Sequence, residues 1–139
     1  MNKGTVFIVE DDRELVELLR LRLETLGHNV ISTENGDEAW NIIQTAHPDL
    51  VILDIFLPDT DGLTILKRVK APIDIETGKP SKTKDIPVIV ITGKAPMIEN
   101  MTRVEGAVDF FVKPFDSNKL VKRITELLEM VQHEREPKP

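Results

Sequence analysis

The chain has 139 residues, 40% of them hydrophobic and 30% charged, with a formal charge of −6 and no cysteine. That size and balance fit one globular domain with a single core, and they exclude disulfides, thiolate catalysis and cysteine-held metal. The acidic balance argues against nucleic-acid binding by the overall field, and no apolar run approaches the roughly 18 residues needed to span a bilayer.

Met1-Asn2-Lys3-Gly4 leads straight into a strand pattern without the features of a secretory signal, so a cytoplasmic location is expected. Thr5 to Val9 is rich in β-formers and stops at Glu10-Asp11-Asp12, which reads as a buried strand ending in acids. From Arg13 the period changes. Leu15, Leu19, Leu23 and Leu26 fall on one helical face, Asp12 suits the N-cap, and Gly27 suits the position after the helix. Asn29 to Thr33 reads as a second strand, and Asn35-Gly36 turns into a helix carrying Ala39, Trp40, Ile42 and Ile43 that Pro48 ends. Leu50 to Leu53 is an uninterrupted apolar run, the pattern of a central strand covered on both faces, and Asp54 closes it. Pro58 and Asp61-Gly62 then turn the chain into a third helix with Leu63, Ile65, Leu66 and Val69, ending near Lys70.

Between Ala71 and Asp85 periodicity disappears, so a long surface loop is expected, at the opposite end of the sheet from the acids. Ile86 to Ile91 reads as a strand ending at Thr92-Gly93-Lys94, followed by a weaker helix over Pro96 to Val104 that should be the most mobile element. Ala107 to Val112 is a fifth strand, closed by Lys113-Pro114-Phe115. Leu120, Ile124, Leu127, Leu128 and Val131 mark a final helix with Asp116 or Ser117 at its N-cap, and a polar tail runs from Glu134 to Pro139.

Strands alternating with helices five times predict an α/β fold, a doubly wound five-stranded parallel sheet of the flavodoxin-like order 2-1-3-4-5. That order makes strands 1 and 3 neighbours, so Glu10, Asp11 and Asp54 converge outside the carboxyl ends of the strands, with Thr92 and Lys113 beside them. Converging acids require a counter-charge, and an all-oxygen set of a few carboxylates suits Mg²⁺. A carboxylate beside that charge, an ammonium and a hydroxyl is equipped to attack phosphorus. The simpler reading of Asp54 is a turn cap, and of Trp40 a core residue. Gly78-Lys79 and Gly93-Lys94 lack the spacing of a phosphate loop, and His28, His47 and His133 have no ligand spacing.

Four motifs in order at successive strand ends give the chain a family likeness. They are Glu10-Asp11-Asp12, Asp54 with Leu57-Pro58 and Asp61-Gly62, Thr92, and Lys113-Pro114-Phe115. From Val6 to about Val131 the chain resembles a receiver domain of two-component response regulators, similar to the chemotaxis regulators. The resemblance implies that Asp54 accepts a phosphoryl group from a sensor histidine kinase, a phosphotransfer protein or a small phosphodonor. It implies that Asp11, Asp54 and the backbone carbonyl of Phe56 bind Mg²⁺, with Glu10 acting through a water, and that Thr92 and Lys113 contact the phosphoryl oxygens. Thr92 and Phe110 would form the switch. A downstream protein would read helix 4, strand 5 and helix 5, with a homodimer on phosphorylation as a further expectation and no direct nucleic-acid or membrane contact. Such a chain is a signalling phosphoacceptor that catalyses only its own phosphorylation and dephosphorylation. The expected organisation is a receiver over residues 1–133 and a tail over 134–139, either standing alone or cut from a larger regulator or hybrid kinase. A Mg²⁺-dependent small-molecule phosphatase is the other alternative, although Phe56 stands where such an enzyme usually has a second acid. The sequence departs from the family pattern in opening its acid cluster with Glu10, in its long 71–85 segment, in Lys94, and in a Phe110 that lacks a hydroxyl.

Overall fold

The structure, a computed structural model, describes residues 4–93 and 97–135. Ten elements alternate along the chain: β1 (Thr5–Val9), α1 (Arg13–Thr25), β2 (Asn29–Thr33), α2 (Gly36–Ala46), β3 (Leu50–Asp54), α3 (Gly62–Lys70), β4 (Val88–Thr92), α4 (Met97–Val104), β5 (Asp109–Val112) and α5 (Ser117–Arg135). All five strands pair in parallel in the order β2-β1-β3-β4-β5, as the alternation predicts. The period of two along each strand divides the core between the two faces. Val6, Ile8, Leu50 and Ile52 pack with Leu19 and Leu23 of α1 and Leu120 and Ile124 of α5. Phe7, Val9, Val51 and Leu53 pack with Ile43 of α2 and Leu66 and Val69 of α3. Every residue of β3 is buried. Each of its four apolar side chains contributes about 1.5–3 kcal/mol on burial, which fixes the position of the acid that follows them. Among the described residues no helix is long and apolar enough to cross a membrane.

Local signals explain most boundaries. The Asp12 side chain accepts from the Leu15 amide at 3.2 Å, capping α1. Gly27, at φ +92°, follows that helix. Asp116 rather than Ser117 caps α5, its carboxylate accepting from the Asn118 amide at 2.8 Å. Leu26, expected on the buried face of α1, lies past the helix and is 40% exposed, while Val16 is buried instead.

Other expectations shift by a few residues. β4 begins at Val88 rather than Ile86, because Pro87 has no amide to donate; its carbonyl still accepts from Val51 N at 3.0 Å. β5 begins at Asp109 rather than Ala107, whose amide closes the end of α4 on the Thr102 carbonyl at 2.9 Å. α5 runs through Arg135, which pairs with Asp49, so Glu134 and Arg135 belong to the helix and not to a tail. Expectations for Lys94, Pro96 and residues 136–139 lie outside the described residues.

The 71–85 segment is not patternless. Ile73 bridges Pro80, Asp74 N donates to Lys79 O at 2.9 Å, Ser81 N to Pro72 O at 2.9 Å, and buried Thr83 donates its hydroxyl to Val69 O at 2.8 Å. It is a small hairpin tied to the C-terminal end of α3, and it enters β4 at the end away from Thr92.

Candidate functional site

Each residue of the site stands where a strand runs out. Glu10 follows β1 and is fully buried, its amide held by the Thr33 carbonyl at 3.1 Å. Its side chain turns onto the start of α1, where Oε2 accepts from Asp11 N at 2.8 Å and Asp12 N at 3.2 Å. The other oxygen pairs with the Lys113 ammonium. Asp54 closes β3 and is 4% exposed. One of its oxygens accepts from Phe56 N at 2.9 Å, and the other lies 3.1 Å from Lys113 Nζ. Thr92, also buried, closes β4, and its carbonyl accepts from Lys113 N at 2.8 Å, which ties the end of β5 to the end of β4. The Lys113–Pro114 bond is cis.

Carboxylate oxygens of Glu10, Asp11 and Asp54 all lie within 4.8 Å of one another. Two such charges about 4 Å apart repel by roughly 4 kcal/mol at an effective dielectric of 20. The titration of the neighbours follows. Partial desolvation, the side-chain hydrogen bond with Glu10 and the charge of Glu10 push the Asp11 carboxyl above its ordinary value, against a backbone hydrogen bond and a smaller pull from Lys113. Burial alone would depress the Lys113 ammonium; the hydrogen bond and charge of Glu10, with those of Asp54, outweigh it and hold Lys113 above its usual value. Three carboxylates face one ammonium, so the cluster carries an excess of two negative charges when ionised. An all-oxygen donor set with that excess fits a hard divalent cation.

The site opens into a concavity of about 690 Å³ lined by Asp11, Phe56, Asp59 and Met101, with Phe56 44% exposed at its mouth. Phe110 shares a sheet face with Thr92, since it pairs with Val90 while Thr92 pairs with Val112. It is packed inward, 8% exposed, in the core between the sheet and α2 and α3. The structure thus brings together Glu10, Asp11, Asp54, Thr92 and Lys113, with Phe56 at the rim and Phe110 one step behind.

Sequence reading did not find Asp59. Its carboxylate accepts from the amides of Gly36 at 3.1 Å and Asp37 at 3.2 Å, capping α2 from the loop after β3, and the Gly36 amide above all holds its carboxyl below the ordinary value. Thr60 adds a hydrogen bond to Asp37 at 2.7 Å. The only local signal is a turn-forming run, Pro58-Asp59-Thr60-Asp61-Gly62, which gives no hint of a partner 22 and 23 residues away.

The profile described as response regulator receiver domain matches residues 6–125. Among curated proteins the chain is 39% identical over 134 residues to the transcriptional regulatory protein CssR of Bacillus subtilis, covering 96% of this chain and 55% of that protein. It is 33% identical over 125 residues to the phosphate regulon transcriptional regulatory protein PhoB of Pseudomonas aeruginosa, covering 89% and 51%. The chain spans about half the length of the curated relatives it matches. Among solved structures it is similar to the BeF3-activated N-terminal receiver domain of RstA from Klebsiella pneumoniae, with a TM-score of 0.73, 27% identity, and 89% and 97% of the two chains covered. A response regulator from Thermotoga maritima matches with a TM-score of 0.73, 25% identity, and 90% and 97% coverage.

Proposed function

The chain belongs to the response regulator receiver domain family, and from that premise we propose that Asp54 is its phosphoacceptor. The observation that carries the assignment is the setting of its carboxylate at the end of the central strand, with Lys113 Nζ 3.1 Å from one oxygen and two further acids close by. Asp11, Asp54 and the Phe56 carbonyl would hold Mg²⁺, with Glu10 acting through a water. When bound, the ion supplies positive charge to the acid cluster and the incoming phosphoryl oxygens.

An Asp54 oxygen attacks the phosphorus of a phosphohistidine on a sensor kinase or phosphotransfer protein. The P–N bond breaks and its electron pair leaves with the imidazole, giving an acyl phosphate. Lys113 pairs with one phosphoryl oxygen, and the Thr92 hydroxyl donates to another. The chain's catalysis is confined to its own phosphorylation and dephosphorylation. Phosphorylation adds about −1.5 to −2 charge, which draws Thr92 toward the new oxygens and alters the packing of Phe110 behind it.

The output surface is then α4, β5 and α5, read by a downstream protein or by a second phosphorylated copy, in the cytoplasm and without nucleic-acid or membrane contact by this domain. The receiver unit extends to the end of α5 at Arg135, two residues past the boundary expected at 133. The test is incubation with acetyl phosphate and Mg²⁺ followed by intact mass measurement. One phosphoryl group should be added to the wild type and none to Asp54→Asn. Equal labelling of that variant, or labelling insensitive to chelator, would overturn the assignment.

A further inference from the structure

At the other end of the sheet from the acid cluster, a concavity of about 650 Å³ lies between α2, α3 and the hairpin of residues 71–83. That falls inside the range of about 300–1,000 Å³ typical of small-molecule sites. Trp40 lies at its base, with the Arg68 guanidinium carbon 4.5 Å from the ring centroid. Arg68 also pairs with Glu76 of the hairpin, so a strap crosses the trough from helix to hairpin. A second concavity, on the side of Asp37 and Glu38, shares Trp40, Gln44 and Arg68. At the rim, Ile73 is 55% and Ile75 78% exposed, two large apolar side chains left beside the opening.

The charge of this lining opposes that of the molecule. The chain carries −6, yet Lys67, Arg68, Lys79 and Lys82 line the concavity against Asp74 and the Glu76 that pairs with Arg68 across it. The Asp74 carboxylate accepts from the Glu76 amide at 2.9 Å within the hairpin. Of the four cations only Arg68 has an ion pair among the described residues; Lys67, Lys79 and Lys82 have none. Within the stack, the indole Nε1 of Trp40 and the Nε of Arg68 are buried and meet no acceptor among the described residues.

The geometry points to a binding site for a small amphipathic organic anion, an aromatic or branched aliphatic body against Trp40, Ile73 and Ile75 with its carboxylate, sulfonate or phosphate group among Lys67, Lys79 and Lys82. Acidic macromolecules fit the observations less well, because the cations line a concave trough that an extended surface does not enter. The site is independent of the phosphoacceptor: it is built on the hairpin at the start of β4, whereas Thr92 closes that strand.

Trp40 is the single tryptophan in a chain without tyrosine, so its emission reports this site alone. The probe is anilinonaphthalene sulfonate, titrated into the full folded chain with excitation through Trp40. Saturable one-to-one energy transfer with matching loss of Trp40 emission is expected, and the neutral analogue N-phenylnaphthylamine should bind more weakly. The double variant Lys67→Ala, Lys82→Ala, which removes two exposed charges, should weaken the sulfonate about tenfold. The neutral probe should be unaffected, and Ile75→Ser should weaken both probes. Thermal melts of the variants keep a folding defect distinguishable from a binding defect. No saturable transfer, equal affinity for the two probes, or unchanged sulfonate affinity in a folded lysine variant would overturn the site. The same titration on Asp54→Asn should match the wild type, which separates this result from the phosphoacceptor assignment.

Discussion

Gly62 packs directly on the backbone of Asp54: a Cβ at position 62 would stand 2.5 Å from the Asp54 carbonyl oxygen and 2.7 Å from Ile55 Cα. The Gly62 amide donates to Ile55 O at 2.8 Å, and Phe56 bridges Asp61, so the loop after the acid folds back on the strand end that presents it. The glycine is required by this close approach, not by a left-handed backbone, since its φ lies outside that region.

Gly62→Ala should therefore displace the strand end and lower stability by about 1–3 kcal/mol, the usual cost of overpacking. Asp54 phosphorylation by acetyl phosphate should slow as well, because the acid rides on the backbone being pushed. Gly93→Ala is the stability control, since a Cβ there meets nothing within 4 Å among the described residues. Urea denaturation of both variants checks the claim, and equal stabilities would refute it.

Asp59 provides a pH test. The backbone amides of Gly36 and Asp37 hold its carboxyl below the ordinary aspartate value in the folded protein. A folded pKa below the unfolded one contributes stability that is present above the unfolded pKa and is lost as pH falls through the folded pKa. The stability difference between wild type and Asp59→Ala should be steady near neutrality and should shrink below about pH 4. Denaturation curves at neutral and acid pH measure it; a difference that stays constant would mean the cap is not electrostatic.

Asp11 and Asp12 are adjacent acids with separable tasks. The Asp12 carboxylate caps α1 through Leu15 N, whereas an Asp11 oxygen faces Glu10 and Asp54. Asp12→Ala should cost about 1 kcal/mol as a lost cap while leaving the response to Mg²⁺ intact. Asp11→Ala should lose that response. For the wild type, Mg²⁺ at ten times its dissociation constant should add about 1.4 kcal/mol of stability. Thermal melts with and without Mg²⁺ distinguish the two variants, and a full Mg²⁺ response in Asp11→Ala would remove Asp11 from the metal site.

The parts of the fold that sequence disclosed are those that burial writes into a pattern. Leu50 to Leu53, the helical spacing of Leu19 and Leu23, and acids or a lysine at strand ends all follow from which faces meet water. The hairpin was invisible for the opposite reason. Its order comes from Thr83 bonding the Val69 carbonyl, from Lys70 donating to the Lys84 carbonyl at 2.9 Å, and from the Arg68–Glu76 pair, contacts between side chains and distant partners that leave no period. The long-range cap by Asp59 was hidden likewise. Within the acid cluster, the residue types and their convergence were legible; the inward packing of Glu10 onto the Asp11 and Asp12 amides, which fixes its direction, was not.

With Asp54 as the proposed phosphoacceptor, Phe56 should set how long the phosphoryl group persists. Hydrolysis needs a water in line with the bond from phosphorus to the Asp54 oxygen, so side chains bordering the open approach matter more than those beneath the acid. Phe56 stands at the mouth, 44% exposed, lining the same concavity as Asp11 and Met101. Its ring takes up volume there and has no donor or acceptor with which to orient a water. An asparagine would offer both, and one hydrogen bond worth about 0.5–1.5 kcal/mol in the transition state corresponds to roughly a two- to tenfold faster decay. Phe56→Asn should accept phosphate on Asp54 as the wild type does, because the backbone amide that bonds Asp54 is retained, and should lose it faster. The measurement is intact mass against time after removal of acetyl phosphate, with Mg²⁺ held constant. Decay in the wild type as fast as in Phe56→Asn would show that this ring does not guard the water.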